Sequence, residues 1–94
     1  MELLPIAQIN ENLGRISGWN LEDNGKSIIK HLEFQNFKEA VDFINKVAEI
    51  AERENHHPEI KLYNCSNLQI KLTTLSAQGL TKKDFDVAFE IDKI

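Results

Sequence analysis

An α+β fold, with one four-stranded antiparallel sheet and three helices on one face, is what this 94-residue sequence predicts. Three observations lead there. The middle of the chain carries a long apolar stripe at helical spacing. Segments of alternating polarity flank that stripe on both sides, and a turn signal splits each flank in two. Shorter helical patterns open and close the chain, so the order reads α-β-β-α-β-β-α.

The first helix is predicted over 6–16. Pro5 suits a first turn, and Ile6, Ile9, Leu13 and Ile16 follow at helical spacing. Gly18 ends it. Trp19 to Glu22 reads as a strand, and Asp23-Asn24-Gly25-Lys26 as a turn. Ser27 to Phe34 reads as the return strand, with Ile28, Lys30, Leu32 and Phe34 on one side and Ile29, His31 and Glu33 on the other. Ile29 interrupts that alternation. Trp19 reads as core, and His31 as a surface or interface residue.

Asn36 and Glu39 form a capping pair for the central helix, predicted over 37–54. Its apolar stripe is Phe37, Ala40, Val41, Ile44, Val47, Ala48 and Ala51. Strands are predicted over 60–63 and 68–74, joined by a turn at Asn64-Cys65-Ser66-Asn67. In the second of them Leu68, Ile70 and Leu72 alternate with Gln69, Lys71 and Thr73, so one face is buried and the other wet. Thr81 caps the last helix, predicted over 81–93, with Asp84 at its third position and Phe85, Ala88, Phe89 and Ile91 on its apolar side.

Composition narrows the function classes. The chain is 41% hydrophobic and 28% charged, with a net charge of −4 and scattered lysines, which argues against a basic nucleic-acid surface. No apolar run approaches the ~20 residues that span a bilayer, so no membrane association is expected. Met1-Glu2-Leu3-Leu4-Pro5 lacks a signal-peptide pattern. The single cysteine, Cys65, excludes an intrachain disulfide, has no basic activator nearby in sequence and fits a reducing cytoplasm. With no repeat, low-complexity segment or linker, residues 1–94 are expected to form one domain. A core this small makes self-association an expected source of stability.

The chemistry concentrates in Glu52-Arg53-Glu54-Asn55-His56-His57-Pro58. Pro58 disfavours a helical residue before it, so the histidines fall at the end of the central helix or just beyond. Histidine titrates nearest neutrality, which makes such a pair a proton-transfer device. The plainer alternative is a solvated pair whose positive charge meets the negative end of the helix dipole. Glu52 stands one helical turn before His56, so it either orients that imidazole or forms a surface pair. With one cysteine and one further histidine, no standard zinc spacing exists.

These residues and this element order together resemble the pterin-4a-carbinolamine dehydratase family. The likeness rests on Ile16-Ser17-Gly18-Trp19 and on Phe34-Gln35-Asn36-Phe37 with Ala40, Phe43, Val47-Ala48 and Ala51-Glu52. It rests further on Asn55-His56-His57-Pro58 and on Gly79-Leu80-Thr81-Lys82-Lys83-Asp84-Phe85. The resemblance implies loss of water from a 4a-hydroxytetrahydropterin to give a quinonoid dihydropterin, as in tetrahydrobiopterin recycling. That reaction needs a proton delivered to the leaving hydroxyl and one taken from a ring nitrogen, so no metal or organic cofactor is called for.

The resemblance makes His56 the general acid or base, with Glu52 beside it, and makes His57 mainly a pterin-binding residue. Pro58, Tyr63 and Asp84 take substrate-side positions. Each has a structural alternative: Pro58 sets a turn, Tyr63 is a half-buried strand residue, and Asp84 caps a helix. Leu75 stands where the family carries a third histidine, and it can neither move a proton nor donate a hydrogen bond. His56 is then expected to carry more of the proton transfer, and His56, His57 and Glu52 to line a concave pocket with Leu75 at its wall. The resemblance also implies a homodimer or a dimer of dimers. A non-catalytic protein that binds a pterin or a protein partner on the same scaffold is the alternative function.

Overall fold

Tight reversals at two places set the sheet. In the computed structural model, which describes residues 2–94, Gly25 takes a left-handed φ of 71° between strand β1 (Trp19–Leu21) and strand β2 (Ile28–Glu33). The Lys26 N–H donates to Asn24 Oδ1, and the Glu22 N–H donates to the Ser27 carbonyl across the hairpin. Asn64 and Cys65 take positive φ values of 48° and 73° between strand β3 (Glu59–Tyr63) and strand β4 (Asn67–Leu72). Asparagine tolerates that region, and Cys65 adopts it against its ordinary preference. Met1, part of the segment read for a targeting signal, lies outside the described residues.

The four strands pair antiparallel in the order β1-β2-β4-β3. Helix α2 (Phe37–Glu54) leaves β2 and delivers the chain to β3 on the far side of β4. Helix α1 (Ile6–Leu13) precedes the sheet, and helix α3 (Lys82–Asp92) follows it. The register places Ile28 beside Leu72, Lys30 beside Ile70 and Leu32 beside Leu68, with Ile60 and Leu62 opposite Ile70 and Leu68. Ile28, Leu68, Ile70 and Leu72 are buried, whereas Asn67, Gln69 and Lys71 are only partly covered, so the helices cover one face. Ala40, Val47, Ile50 and Ala51 of α2 and Phe85, Val87, Ala88 and Ile91 of α3 are buried in turn. Each fully buried Leu or Ile of this core contributes roughly 1.5–3 kcal/mol relative to leaving it exposed.

The predicted order and fold class hold, while several boundaries move for local reasons. The first helix ends at Leu13 rather than at 16. Beyond Gly14 the bonds shorten to the three-residue type, Arg15 N–H to Asn12 O and Ile16 N–H to Leu13 O. Strand β2 starts one residue after Ser27 and stops before Phe34, whose N–H turns to the Ser66 carbonyl. Strand β4 ends at Leu72, not 74, because Thr74 pairs with Gly79 around a single 3-10 turn, Leu75–Ala77. Strand β1 omits Glu22, strand β3 gains Glu59, and α3 covers Lys82–Asp92 within the predicted 81–93.

One charged residue faces the core side. Lys30 shares that side with Ile28 and Leu32, and its ammonium donates to Asp92 Oδ1 at 2.7 Å and to the Ser17 carbonyl at 2.9 Å. Asp92 also accepts from the buried Trp19 indole at 2.9 Å and from the Ser17 N–H at 2.8 Å. One carboxylate thereby ties the end of α3 to β1 and β2. Removing one member of a largely buried charge pair leaves the other poorly compensated. Asp92→Ala is expected to cost about 2–4 kcal/mol of unfolding free energy in urea titration. Asp42→Ala, at the exposed Lys38–Asp42 pair, should cost under about 0.5 kcal/mol.

The edge of the first hairpin carries a pH dependence. The Ser27 hydroxyl bonded to Glu22, with Lys71 beside it, holds the Glu22 carboxyl below the usual carboxylate range. Depression in the folded state means that this contribution is present above the unfolded pKa and disappears as pH falls through the folded one. Urea midpoints measured from pH 7 down to pH 3 should therefore fall less steeply in Glu22→Gln than in the parent. An identical slope would refute the assignment.

Candidate active site

The site begins where α2 stops. Asn55 takes the left-handed conformation, φ 52° and ψ 43°, and the His56 N–H donates back to the Ala51 carbonyl at 3.0 Å while the Asn55 N–H reaches the Glu52 carbonyl. This is a Schellman closure with asparagine in the place usually held by glycine. The chain turns off the helix axis at Asn55, and Pro58 precedes β3 at Glu59. His56 and His57 thus lie on the short link between helix and sheet edge.

The two imidazoles enter different surroundings. His56 is 9% exposed, and its Nε2 lies 2.6 Å from Oδ1 of Asp84, which is fully buried. Asp84 is the third residue of α3 and part of a capping box with Thr81. Its Oδ2 accepts the Thr81 N–H at 2.9 Å and the Thr74 hydroxyl at 2.8 Å. One oxygen therefore caps the helix while the other faces His56. The capping reading of Asp84 applies, and the same side chain also holds His56, a contact the sequence did not indicate. A carboxylate that accepts on both oxygens requires the proton on His56 Nε2, so the neutral ring carries its lone pair on Nδ1.

His57 is half-exposed, and its Nε2 is hydrogen-bonded to the Glu52 carboxylate. Helical spacing predicts Glu52 beside His56, as a continuous helix would place it. The left-handed turn at Asn55 breaks that geometry and brings His57 to Glu52 instead. Glu52 is itself exposed and pairs at the surface.

A shallow cavity of about 340 Å³ lies against this link. Asn55, His56, His57, Thr73, Thr74, Leu75 and Ser76 line it. Leu75 projects from the 3-10 turn with 82% of its surface exposed. The cavity wall brings both histidines and Leu75 together. Glu52 is not part of that wall and stands behind His57, and Asp84 stands behind His56. Pro58 does not line it. Tyr63 ends β3, about 13 Å along the strand from Glu59, with the Lys61 ammonium 5.2 Å from its ring centre. Tyr63 is therefore remote from the cavity in this chain.

Sequence reasoning missed Asn55, Thr73, Thr74 and Ser76. The signal for Asn55 was available: asparagine just after a strong helical stripe and before a proline marks a left-handed helix end. Thr74 gave no such signal, because its burial follows from the chain leaving β4 early. Cys65 is exposed in the hairpin turn, and His31 is exposed on the open sheet face. Among the described residues no group of three or more His, Cys, Asp and Glu side chains is placed to share a metal ion. No described helix is long and apolar enough to cross a membrane.

The fold and this arrangement define a small α+β protein with a histidine–carboxylate pair beside a shallow cavity. Residues 2–94 match the family model described as pterin 4 alpha carbinolamine dehydratase, and the chain belongs to that family. A relative from Trichormus variabilis is 44% identical over 99% of this chain and 97% of its own length. One from Sulfurisphaera tokodaii is 40% identical over 100% and 98%. Both carry the name "Putative pterin-4-alpha-carbinolamine dehydratase". The crystal structure of a transcriptional coactivator/pterin dehydratase from Brucella melitensis superposes with a TM-score of 0.88 at 29% identity, covering 96% of this chain and 95% of that one. A pterin dehydratase-like protein identified as a RuBisCO assembly factor in the alpha-carboxysome shares the fold, with a TM-score of 0.68 at 18% identity over 84% and 90%.

The helix end that aims the histidines is open to a direct test. Valine at position 55 would meet the steric penalty of the left-handed region, about 1–2 kcal/mol, whereas glycine would not. Asn55→Val should lower unfolding stability by about that amount, and Asn55→Gly should stay within about 0.5 kcal/mol of the parent. Equal losses in both variants would show that the asparagine side chain, not its backbone angle, matters there.

Proposed function

We propose that the protein dehydrates a 4a-hydroxytetrahydropterin to the quinonoid dihydropterin, with His56 as the proton-transfer group. The observation that carries this reading is the His56 imidazole held by the buried Asp84 at the cavity wall, in a chain of the dehydratase family. The carbon–oxygen bond at the 4a position breaks as its electron pair leaves with the hydroxyl. A proton delivered to that oxygen completes water, and loss of a proton from a ring nitrogen supplies electrons to the new double bond. His56 Nδ1 exchanges these protons, while Asp84 fixes the opposite nitrogen and stabilises the imidazolium formed in passing. His57, anchored by Glu52, contributes a hydrogen bond to the bound pterin. We place the activity in the cytoplasm, consistent with a lone cysteine that has no intrachain partner.

In this reading Leu75 occupies the position of a second acid–base group and supplies only an apolar contact, so the rate is expected below that of a site with three histidines. A second reading draws on the same residue. An exposed leucine on the cavity rim suits a scaffold that binds a pterin or a protein without turning it over.

Dehydration of synthetic 4a-hydroxytetrahydropterin, followed against the uncatalysed rate, separates the two. His56→Ala is expected to lower kcat by ~10²–10⁴-fold, the usual worth of a positioned acid–base group. Leu75→His should raise kcat above the parent. A parent rate equal to the uncatalysed one, unchanged in both variants, leaves the scaffold reading in place.

A further inference from the structure

Asp84 can steer His56 only if its own carboxylate is held in one plane. Rotation about the last side-chain bond would swap Oδ1 and Oδ2 or move both away from the imidazole. The Thr81 N–H that meets Oδ2 comes from the same helix cap, three residues away, and fixes the carboxylate from one side. The Thr74 hydroxyl meets the same oxygen from a different element, the exit of β4, at 2.8 Å. Thr74 is 4% exposed, and its Oγ1 also lies 2.8 Å from Thr81 Oγ1. A hydroxyl has one proton, and the Asp84 carboxylate can only accept, so Thr74 donates to Asp84. Asp84 thus receives the Thr74 hydroxyl and the Thr81 N–H on one oxygen and faces His56 with the other.

We propose that Thr74 is a positioning residue for the proton-transfer histidine. Its hydroxyl locks the Asp84 carboxylate so that Oδ1 holds His56 in the Nε2–H tautomer with Nδ1 toward the cavity. The inference rests on the dehydratase reading for its kinetic part. Its tautomer part stands independently of turnover. Thr74 lies next to Leu75, so the same segment that gives the cavity its apolar rim also fixes the remaining imidazole. Valine keeps the branched shape and removes the donor, and serine keeps the donor and removes a methyl group.

Two measurements test this. In the kinetic one, Thr74→Val is expected to lower kcat about tenfold, the effect of one lost hydrogen bond to a charged group, with KM within about twofold. Thr74→Ser should return kcat to within about threefold of the parent. A change in KM alone would assign Thr74 to substrate binding. A serine variant as impaired as the valine one would mean packing, and either result overturns the proposal. In the second, ¹⁵N chemical shifts of the His56 ring in the parent should show the Nε2–H tautomer, and Thr74→Val should convert it to a tautomer mixture. An Nδ1–H tautomer in the parent overturns the proposal even if the valine variant does not fold. If the parent shows no dehydratase activity, the dehydratase reading falls. The tautomer spectra then decide Thr74's role alone.

Discussion

A carboxylate sealed from water must gather donors from the protein, and Asp84 gathers them from three separate parts of the chain. The cap of α3 supplies the Thr81 N–H, the exit of β4 supplies the Thr74 hydroxyl, and the end of α2 supplies the His56 imidazole. These segments are not neighbours in sequence, and Thr74 and His56 each come from a place where regular structure has just ended. The burial of one charge therefore fixes how the loop after β4 and the link after α2 approach the start of α3. Leaving any donor out would leave a charged oxygen undersatisfied in a site that excludes solvent, which costs more than the net worth of an ordinary hydrogen bond. The cavity and the cap of the last helix are consequences of the same requirement.

The fold could be read from the sequence because its signals are local. The stripe from Phe37 to Ala51 repeats at helical spacing, and Leu68, Ile70 and Leu72 alternate without interruption. Gly25 and Asn64 mark turns by their own backbone preferences. The position of the histidine pair was equally local, since Pro58 disfavours a helical residue before it and Asn55 suits a left-handed helix end. What escaped was every contact that depends on how elements pack. Lys30 finds Asp92 across 62 positions, and His56 finds Asp84 across 28, and no periodicity announces either. The Glu52 error has a different origin. Its spacing to His56 was right for a helix, but Asn55 takes the chain out of the helix one residue too soon.

Charge satisfaction recurs at the opposite end of α3. Asp92 collects the Lys30 ammonium, the Trp19 indole and the Ser17 N–H, much as Asp84 collects its donors at the start of the same helix. Helix α3 is thus pinned at both ends by carboxylates that reach the rest of the molecule, while its middle packs through Phe85, Val87, Ala88 and Ile91. Apolar contact alone tolerates small slides and rotations of a helix on a sheet. Directional bonds at each end remove that freedom. A histidine partner placed on α3 inherits this rigidity, which matters because a displacement of about 1 Å at a reacting group can cost 10²-fold in rate.

The histidine pair shows how one dipeptide yields two kinds of group. Both residues have the same side chain and sit next to each other, yet one faces a buried carboxylate and the other an exposed one. Beside Asp84, interactions act through a water-poor medium and hold their geometry. Beside Glu52, solvent and salt screen the charge, and the side chains retain rotamer freedom. A group that must give and take protons at a fixed point needs the first environment. A group that must meet an incoming ring and release it is better served by the second. The difference between the surroundings of His56 and His57 is set by the left-handed turn at Asn55, which sends one imidazole inward and leaves the next at the surface.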